Sequence, residues 1–491
     1  MKNKIHELEK VARLLETSPE QRADWATQFA AHAEQFISGL PTNPAYFYDS
    51  QEGKALNETP IGEQNQGLDT LLRTYRTHVE QTGINPASAK HFGYIPGGGI
   101  ALSANADYLA AITNRYAGMY FANPGAVRIE NQVIRWMCDL IGYGAQSFGN
   151  LTSGGSIANL VAVIAAREAK EIRSKIVDQS VVYLTRQVHH CVLKALRIAG
   201  LQECIVRKIP MDANFRMKTE LLEQQIKSDL SMGLRPFLAV ASAGSTDVGV
   251  VDPLEAIATI CEAYQLWFHV DGAYGGAFLL ADVPQADGSN VKDLFKGIAR
   301  ADSVTLDPHK GFFLPYGLGA ILVKDINTLY HAHHQSANYL QDAEGLQEYS
   351  PSDLSPELTK HFRGLRMWMP LQHYGVAPFK AALEEKVYLT RYFFKKVQAL
   401  GFEVGPYPDL SIAIYRFVPK SADANDFNEK LVRHIWKDGR FFVSSTSISG
   451  NYWIRMCILS FRTHLKEIDD FLSLLEQYLS AVYEEAEAVA V

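Results

Sequence analysis

Asp302-Ser-Val-Thr-Leu-Asp-Pro-His-Lys-Gly311 sets a short apolar run, Ser303 to Leu306, directly against a cluster of charged and polar side chains. A run of that length, bounded by Asp and Pro, reads as a buried strand that stops where Asp307-Pro308 begins. The same design recurs upstream, where Leu266-Trp-Phe-His-Val270 runs into Asp271-Gly-Ala-Tyr-Gly-Gly276. Working outward, Val181 to Leu184, Cys204 to Val206, Phe237 to Ala241 and Gly319 to Val323 are further short apolar runs separated by helical patterns. Strands alternating with helices from about 125 to 325 predict βα units on a mainly parallel sheet, an α/β domain. In open sheets of this kind ligands bind at the carboxyl ends of strands, where Asp271 and Lys310 fall.

The flanks read differently. Ile5 to Leu40 has helical spacing ended by Pro41-Thr-Asn-Pro44, which predicts two helices with too little apolar surface for a core of their own. They should pack on something else, such as a second subunit. His91-Phe-Gly-Tyr-Ile-Pro-Gly-Gly-Gly99 is too glycine-rich for a helix interior and reads as a loop before a helical run from Asn105 to Tyr120. Gln341 to Pro356 is polar with few apolar anchors, which predicts a mobile loop, and a long helical run follows from Leu358 to Gly401. Strand-like Ser411 to Phe417, helix-like Ala424 to Asp438, strand-like Trp453 to Ile458 and a closing helix from Leu465 to Glu484 make a small C-terminal α+β domain. The expected division is an N-terminal helical segment over 1–105, a large α/β domain over 106–375 and the small domain over 376–491.

Composition narrows the class of function. The chain has 491 residues, 47 Lys+Arg against 54 Asp+Glu, a net charge of −7 and 47% hydrophobic residues, enough for a sizeable core and too much for one small module. Its basic residues are scattered, so neither nucleic acid nor an anionic membrane is an expected partner. The cysteines Cys138, Cys191, Cys204, Cys261 and Cys457 are odd in number and set among apolar neighbours, which reads as reduced core thiols. No cysteine or histidine spacing suits structural zinc, and no metal is expected. With a charged N-terminus and no apolar run of about 18 residues, the expected class is a cytoplasmic enzyme.

Three motifs could carry chemistry. Leu151-Thr-Ser-Gly-Gly-Ser-Ile-Ala-Asn159 opens a helical run, and glycines beside hydroxyls at a helix start present N–H groups to an anion. The same residues are also ordinary N-cap choices. Walker and GxGxxG patterns are absent from it, so a nucleotide loses ground. Asp271, followed by small residues, leaves room for a flat ligand and offers a carboxylate to a protonated ring nitrogen; an Asp-Gly turn explains it equally. Lys310, flanked by His309 and Gly311 at a strand end, is hard to justify as packing, because an ammonium resists desolvation. A desolvated lysine is a Schiff-base candidate.

Together, Thr152-Ser-Gly-Gly-Ser156, His189, His269-Val-Asp271-Gly-Ala273 and Asp307-Pro-His-Lys310 resemble, in order and spacing, the group II pyridoxal-phosphate-dependent amino-acid decarboxylases, over roughly residues 85 to 465. The aromatic L-amino-acid, histidine and glutamate decarboxylases belong to that family. The resemblance implies a fold type I enzyme, a homodimer with active sites at the subunit interface, and release of CO2 from an α-amino acid. It also implies Lys310 as the cofactor's Schiff-base lysine, Asp271 as the partner of the pyridinium nitrogen, and Gly155 and Ser156 as the phosphate site with His309 beside it. His189 would stack on one face of the ring, the register Gln187-Val-His189 favouring it over His190. Ala273 would pack on the other face, and Thr246 in Ala243-Gly-Ser-Thr-Asp247 matches a hydroxyl near the cofactor, with Ser245 where threonine is frequent. Tyr349, in Gly345-Leu-Gln-Glu-Tyr349, matches a mobile-loop tyrosine that reaches the other subunit's site and helps protonate the carbanion. Arg455 matches an arginine of the C-terminal domain that could equally be a structural ion-pair partner.

The resemblance favours decarboxylation to an amine with an aromatic substrate. Phe92, Tyr94, Tyr120 and Phe121 suit an aromatic side chain, whereas Tyr94-Ile-Pro-Gly-Gly-Gly99 has more glycine than is frequent where the family's substrate pocket is lined. Rival readings are a pyridoxal-phosphate carbon–carbon lyase, an oxidative deaminase that forms aldehyde, and a homologue that binds the cofactor without catalysis.

Overall fold

Seven strands form the central sheet of the computed structural model, which describes residues 1–48, 53–58, 60–62, 65–335, 348–420 and 422–489. They are β1 (Phe148–Thr152), β2 (Ser180–Leu184), β3 (Ile205–Lys208), β4 (Arg235–Ser242), β5 (Trp267–Asp271), β6 (Ser303–Leu306) and β7 (Gly319–Val323), in the spatial order β1-β7-β6-β5-β4-β2-β3. All pairings among β2 to β6 are parallel, while β7 runs antiparallel to both β6 and β1. The α/β class and the mainly parallel sheet follow the expectation, with β1 an addition to it.

Strand periodicity shows why apolar residues fall on both faces of these runs. Val181, Tyr183, Ala239, Phe268, Val270, Val304 and Leu306 enter one hydrophobic core, and Val182, Leu184, Leu238, Val240 and Trp267 enter another. Successive residues of a strand face opposite ways, so a sheet covered on both sides needs apolar residues at nearly every position. Helix Gly155–Ala169, which follows β1, buries Ala158 to Val163 in the second of these cores.

Elsewhere the helical runs are shorter than their patterns. The run expected over Asn105 to Tyr120 is the helix Ala101–Thr113, ended by Asn114 in the left-handed region at φ 46°. The run expected over Leu358 to Gly401 is two helices, Leu365–Tyr374 and Ala377–Ala399, divided at Gly375-Val376. The second helix straddles two cores. Phe379, Leu383 and Val387 pack with Phe278 and Phe313 of the large core, and Phe393, Phe394 and Val397 pack with Tyr415, Ile454 and Phe471 of the small one.

That small core lies under β8 (Glu403–Val404), β9 (Ile412–Arg416), β10 (Ser444–Ile448) and β11 (Asn451–Cys457), an antiparallel sheet in the order β8-β9-β11-β10. Helices Ala424–Asp438 and Leu465–Val489 complete it. Phe92, from the loop far upstream, joins this core: its N–H donates to Phe442 O, and Cys457 N–H donates to Phe92 O.

The N-terminal pattern is indeed two helices, Lys2–Ala12 and Pro19–Gly39, the second opened by a capping box between Ser18 and Gln21. Neither buries a residue, and Leu8, Val11, Leu14, Leu15 and Phe29 are exposed. Among the described residues no helix is long and apolar enough to cross a membrane.

Candidate active site

Three strand ends converge on one cleft. β1 leads into the helix that starts at Gly155, β5 ends on Asp271, and β6 ends before the single turn Pro308–Gly311 that carries Lys310. Between them is a cavity of about 280 Å³, lined by Gly155, Ser156, His189, Thr246, Asp271, Ala273, His309 and Lys310. These residues lie far apart in sequence, and the topology of the sheet brings all eight together.

Asp307 is the member that the sequence reading left without a role. Its Oδ2 lies 2.9 Å from Lys310 Nζ, and its carboxylate is buried. Gly155 makes room for it, since an added Cβ there would sit 2.7 Å from Asp307 Oδ2. The structure therefore corrects the picture of Lys310 as a merely desolvated lysine. Burial pushes its ammonium down, but the Asp307 charge and hydrogen bond, with Asp271 further off, outweigh burial and hold it above its ordinary value.

The histidines around it are biased towards neutrality. Burial lowers His309, against the opposing charge of Asp307, and its Nδ1 faces the Leu318 carbonyl, so Nδ1 carries the proton. Burial also lowers His189, opposed by Asp271 and aided by His190 and Lys310. Cys191 N–H lies 3.3 Å from His189 Nδ1, which makes that nitrogen the acceptor. The Cys191 thiol, also in the cleft, is pushed up to about 12 by burial and is not a ready nucleophile.

Asp271 accepts from Ala273 N–H at 3.1 Å and from Asn159 Nδ2 at 3.4 Å. Asn159, quoted as the end of the anion motif but given no role there, lies four residues after Gly155, one turn inside the helix. Gln187 Oε1, Ser245 Oγ and Asp307 Oδ1 are buried in the cleft walls without a hydrogen-bond partner among the described residues. Such groups are costly to bury unless a ligand satisfies them. An amine, a facing carboxylate, small residues between them and a helix N-terminus with Ser156 fit a flat aromatic carbonyl compound that bears a phosphate, which is the chemistry of pyridoxal phosphate.

Other expected residues lie elsewhere. Tyr349 is exposed and does not line this cavity; its ring centre is 5.7 Å from that of Tyr330. The neighbouring Glu348 pairs with Arg128 at 3.0 Å. Residues 341–347 of the expected mobile loop lie outside the described residues. Arg455 is buried and donates to the carbonyls of Thr246 (2.9 Å), Asp247 (3.2 Å) and Tyr94 (2.7 Å), and to Ser444 Oγ. Instead of an ion pair it makes a tie between β11 and the loop of Thr246. None of Phe92, Tyr94, Tyr120 and Phe121 lines the cavity: Phe92 belongs to the small core, and Tyr94 and Phe121 are exposed.

Comparison with known proteins agrees with this chemistry. Residues 51–410 match the model of the pyridoxal-dependent decarboxylase conserved domain. An aromatic-L-amino-acid decarboxylase of Bacillus atrophaeus is 33% identical over 440 residues, covering 84% of this chain and 89% of that protein. A phenylacetaldehyde synthase of Arabidopsis thaliana is 26% identical, covering 84% of this chain and 86% of the relative. Among solved structures, that of Oryza sativa TDC with PLP and tryptamine superposes with a TM-score of 0.87 at 21% identity, covering 94% of this chain and 98% of the other.

Proposed function

We propose that this chain, which belongs to the pyridoxal-dependent decarboxylase family, acts on aromatic L-amino acids and releases the corresponding amine and CO2. It is a pyridoxal-phosphate-dependent amino-acid decarboxylase with an α/β fold of type I. The observation that carries the reading is the single cleft in which Lys310, Asp271 and the N-terminus of helix Gly155–Ala169 meet. The aromatic preference rests on the relative from Bacillus atrophaeus, the most similar of those named above.

When bound, pyridoxal phosphate supplies a ring that accepts the electron pair released as the Cα–carboxylate bond breaks. Lys310 holds its carbonyl carbon. Asp271 holds the ring nitrogen and keeps it protonated, while Gly155, Ser156 and the first N–H groups of their helix hold the phosphate, with His309 alongside. His189 and Ala273 cover the two faces, and Thr246 offers a hydroxyl at the rim. Asp307 is within reach of the proton on Lys310 Nζ, which that amine must shed before it can react. Tyr349, exposed on the single chain, would supply a proton to Cα in the site of the partner subunit.

Two further assignments accompany this one. The protein is a homodimer, supported by the exposed apolar residues of helices that bury nothing. It works in the cytoplasm, supported by five free cysteines, all buried.

The test is CO2 release and amine formation over a panel of the amino acids with pyridoxal phosphate present. Tryptophan, tyrosine or phenylalanine should be the substrates, and borohydride reduction should fix a pyridoxyl group on Lys310. A label on another lysine, aldehyde as the main product, or no turnover of any amino acid would overturn the reading.

A further inference from the structure

Asp271 stands at the end of a buried chain of side chains whose direction is set where Asn159 meets Gly155 O and the Asp271 carboxylate. Trp267, His269 and Asp271 alternate along β5 and share one face. Ser303 is the register partner of His269 on β6, and Asn159 comes from the helix Gly155–Ala169. Trp267 Nε1 lies 2.9 Å from Ser303 Oγ, which lies 2.8 Å from His269 Nδ1. His269 Nε2 lies 2.8 Å from Asn159 Oδ1, and Asn159 Nδ2 lies 2.8 Å from Gly155 O and 3.4 Å from Asp271 Oδ2. Trp267, Ser303, His269 and Asn159 are all buried.

An indole N–H can only donate, so Ser303 Oγ accepts from Trp267, and its own proton is free to go to His269 Nδ1 if that nitrogen is bare. In that arrangement, His269 carries its own proton on Nε2 and donates to Asn159 Oδ1. That leaves the amide nitrogen of Asn159 facing Asp271. The Asn159 end is what fixes this direction, because Gly155 O and a carboxylate can only accept, so Oδ1 is left for His269 Nε2, which must donate, and a neutral ring is then bare at Nδ1. Reversing the chain would set Asn159 Oδ1 against Gly155 O and the carboxylate, out of reach of water, and such a clash of acceptors is costly.

We propose that Trp267, Ser303, His269 and Asn159 are positioning residues that hold the Asp271 carboxylate in place as an obligate acceptor, with His269 fixed as the Nε2–H tautomer. The proposal rests on the reading of Asp271 as the partner of the cofactor's ring nitrogen. Burial pushes His269 down to about 4, which keeps the ring neutral, as a relay with one donor and one acceptor nitrogen requires. The Asn159 N–H facing one oxygen of that carboxylate orients the group towards the ring nitrogen on its other side.

Neutron diffraction from the deuterated holoenzyme reads the tautomer without recourse to turnover. Deuterium on His269 Nε2 is expected, and deuterium on Nδ1 would overturn the proposal. His269→Leu should weaken cofactor retention by about tenfold, the scale on which outer partners tune a held group. His269→Gln, which can still donate to Asn159, should recover most of that loss. In an Asp271→Asn background, His269→Leu should cause no further loss of retention; an equal loss in both backgrounds would reduce the network to packing and refute the proposal. Should His269→Leu fail to fold, Ser303→Ala enters the same cycle with the same two outcomes. If Asp271→Asn alone left retention and turnover unchanged, the role given to Asp271 would fall, and a deuteron on Nε2 would still support the direction of the chain.

Discussion

Lys310 Nζ and Asp307 Oδ2 form an ion pair of 2.9 Å within one turn of chain, at the floor of the cleft. Replacing Asp307 by Asn removes the charge that, together with its hydrogen bond and Asp271, outweighs burial, so Lys310 becomes a poorly compensated cation. Because Lys310 is raised in the folded chain, stability from this pair is complete below the unfolded value of 10.5 and is lost as pH climbs through the higher folded value. In the cofactor-free protein, Asp307→Asn should cost about 3 kcal/mol at neutral pH, the lower end for breaking a buried pair. Urea titrations at pH 7.5 and pH 11 check this, and the gap from wild type should narrow at the higher pH. A gap of equal size at both would contradict the pairing.

Asp271→Asn should keep much of the cofactor and lose most turnover, since a neutral amide cannot keep the ring nitrogen protonated. Absorbance of the bound cofactor and kcat measured on one preparation separate the two effects. A near-normal kcat would remove Asp271 from the chemistry.

Acid sensitivity follows from two buried histidines. Burial lowers His91 and His269 to about 4 from 6.5. Both are proton-poor in the fold, so the stability they confer is complete above pH 6.5 and is lost as pH falls from there towards 4, up to about 3 kcal/mol for each. His91→Phe keeps a ring stacked on Phe442, whose centre is 5.1 Å away. That variant should retain more stability than wild type at pH 5 relative to pH 7.5 in chemical denaturation. Identical pH profiles would show that His91 does not titrate on unfolding.

Removing the first 40 residues should abolish the dimer, because the two leading helices place their apolar side chains at the surface of the single chain. Light scattering on the full chain and on the shortened one reads this directly. A full chain that is active as a monomer would refute it.

Tyr349→Phe should lower the yield of amine and raise that of aldehyde and ammonia. If Tyr349 supplies the proton to Cα, loss of the phenol leaves that position open to oxygen for longer. Product analysis under air and under nitrogen distinguishes the two routes. Unchanged amine yield would pass the proton delivery to another group, His189 first.

The sheet was legible because β2 and β4 to β7 carry apolar residues on both faces, which the two-sided burial of a parallel sheet demands. β1 was not, since Phe148-Gly-Asn-Leu-Thr152 is poor in strand formers and holds its place by pairing with β7. Gly149 in that strand packs so closely on Ile321 O that an added Cβ would collide with it. β10, Ser444-Ser-Thr-Ser-Ile448, is too polar to announce itself, and only its hairpin partner β11 carries the apolar signal. In the site, the motifs yielded the residues lining the cleft but not those that support them. Asp307 was quoted without a role because its partner Lys310 drew the chemistry, and the burial that makes Asn159 and Ser303 matter has no local mark in sequence.

Helix Ala377–Ala399 has a consequence for recombining this chain with its relatives. One end is cut to fit the large core and the other to fit the small one, along a single uninterrupted cylinder. A crossover inside it would join two half-helices whose apolar stripes were selected against different neighbours, and overpacked or hollow contacts would appear in both cores at once. A crossover at Gly375-Val376, before the helix begins, hands the whole cylinder over intact and leaves Phe379, Leu383 and Val387, with Leu410, Ile412, Cys457 and Leu459 and the Arg455 tie, to be matched across the join. Modularity in this molecule is thus set by a seam two residues wide, displaced from the boundary between the two sheets.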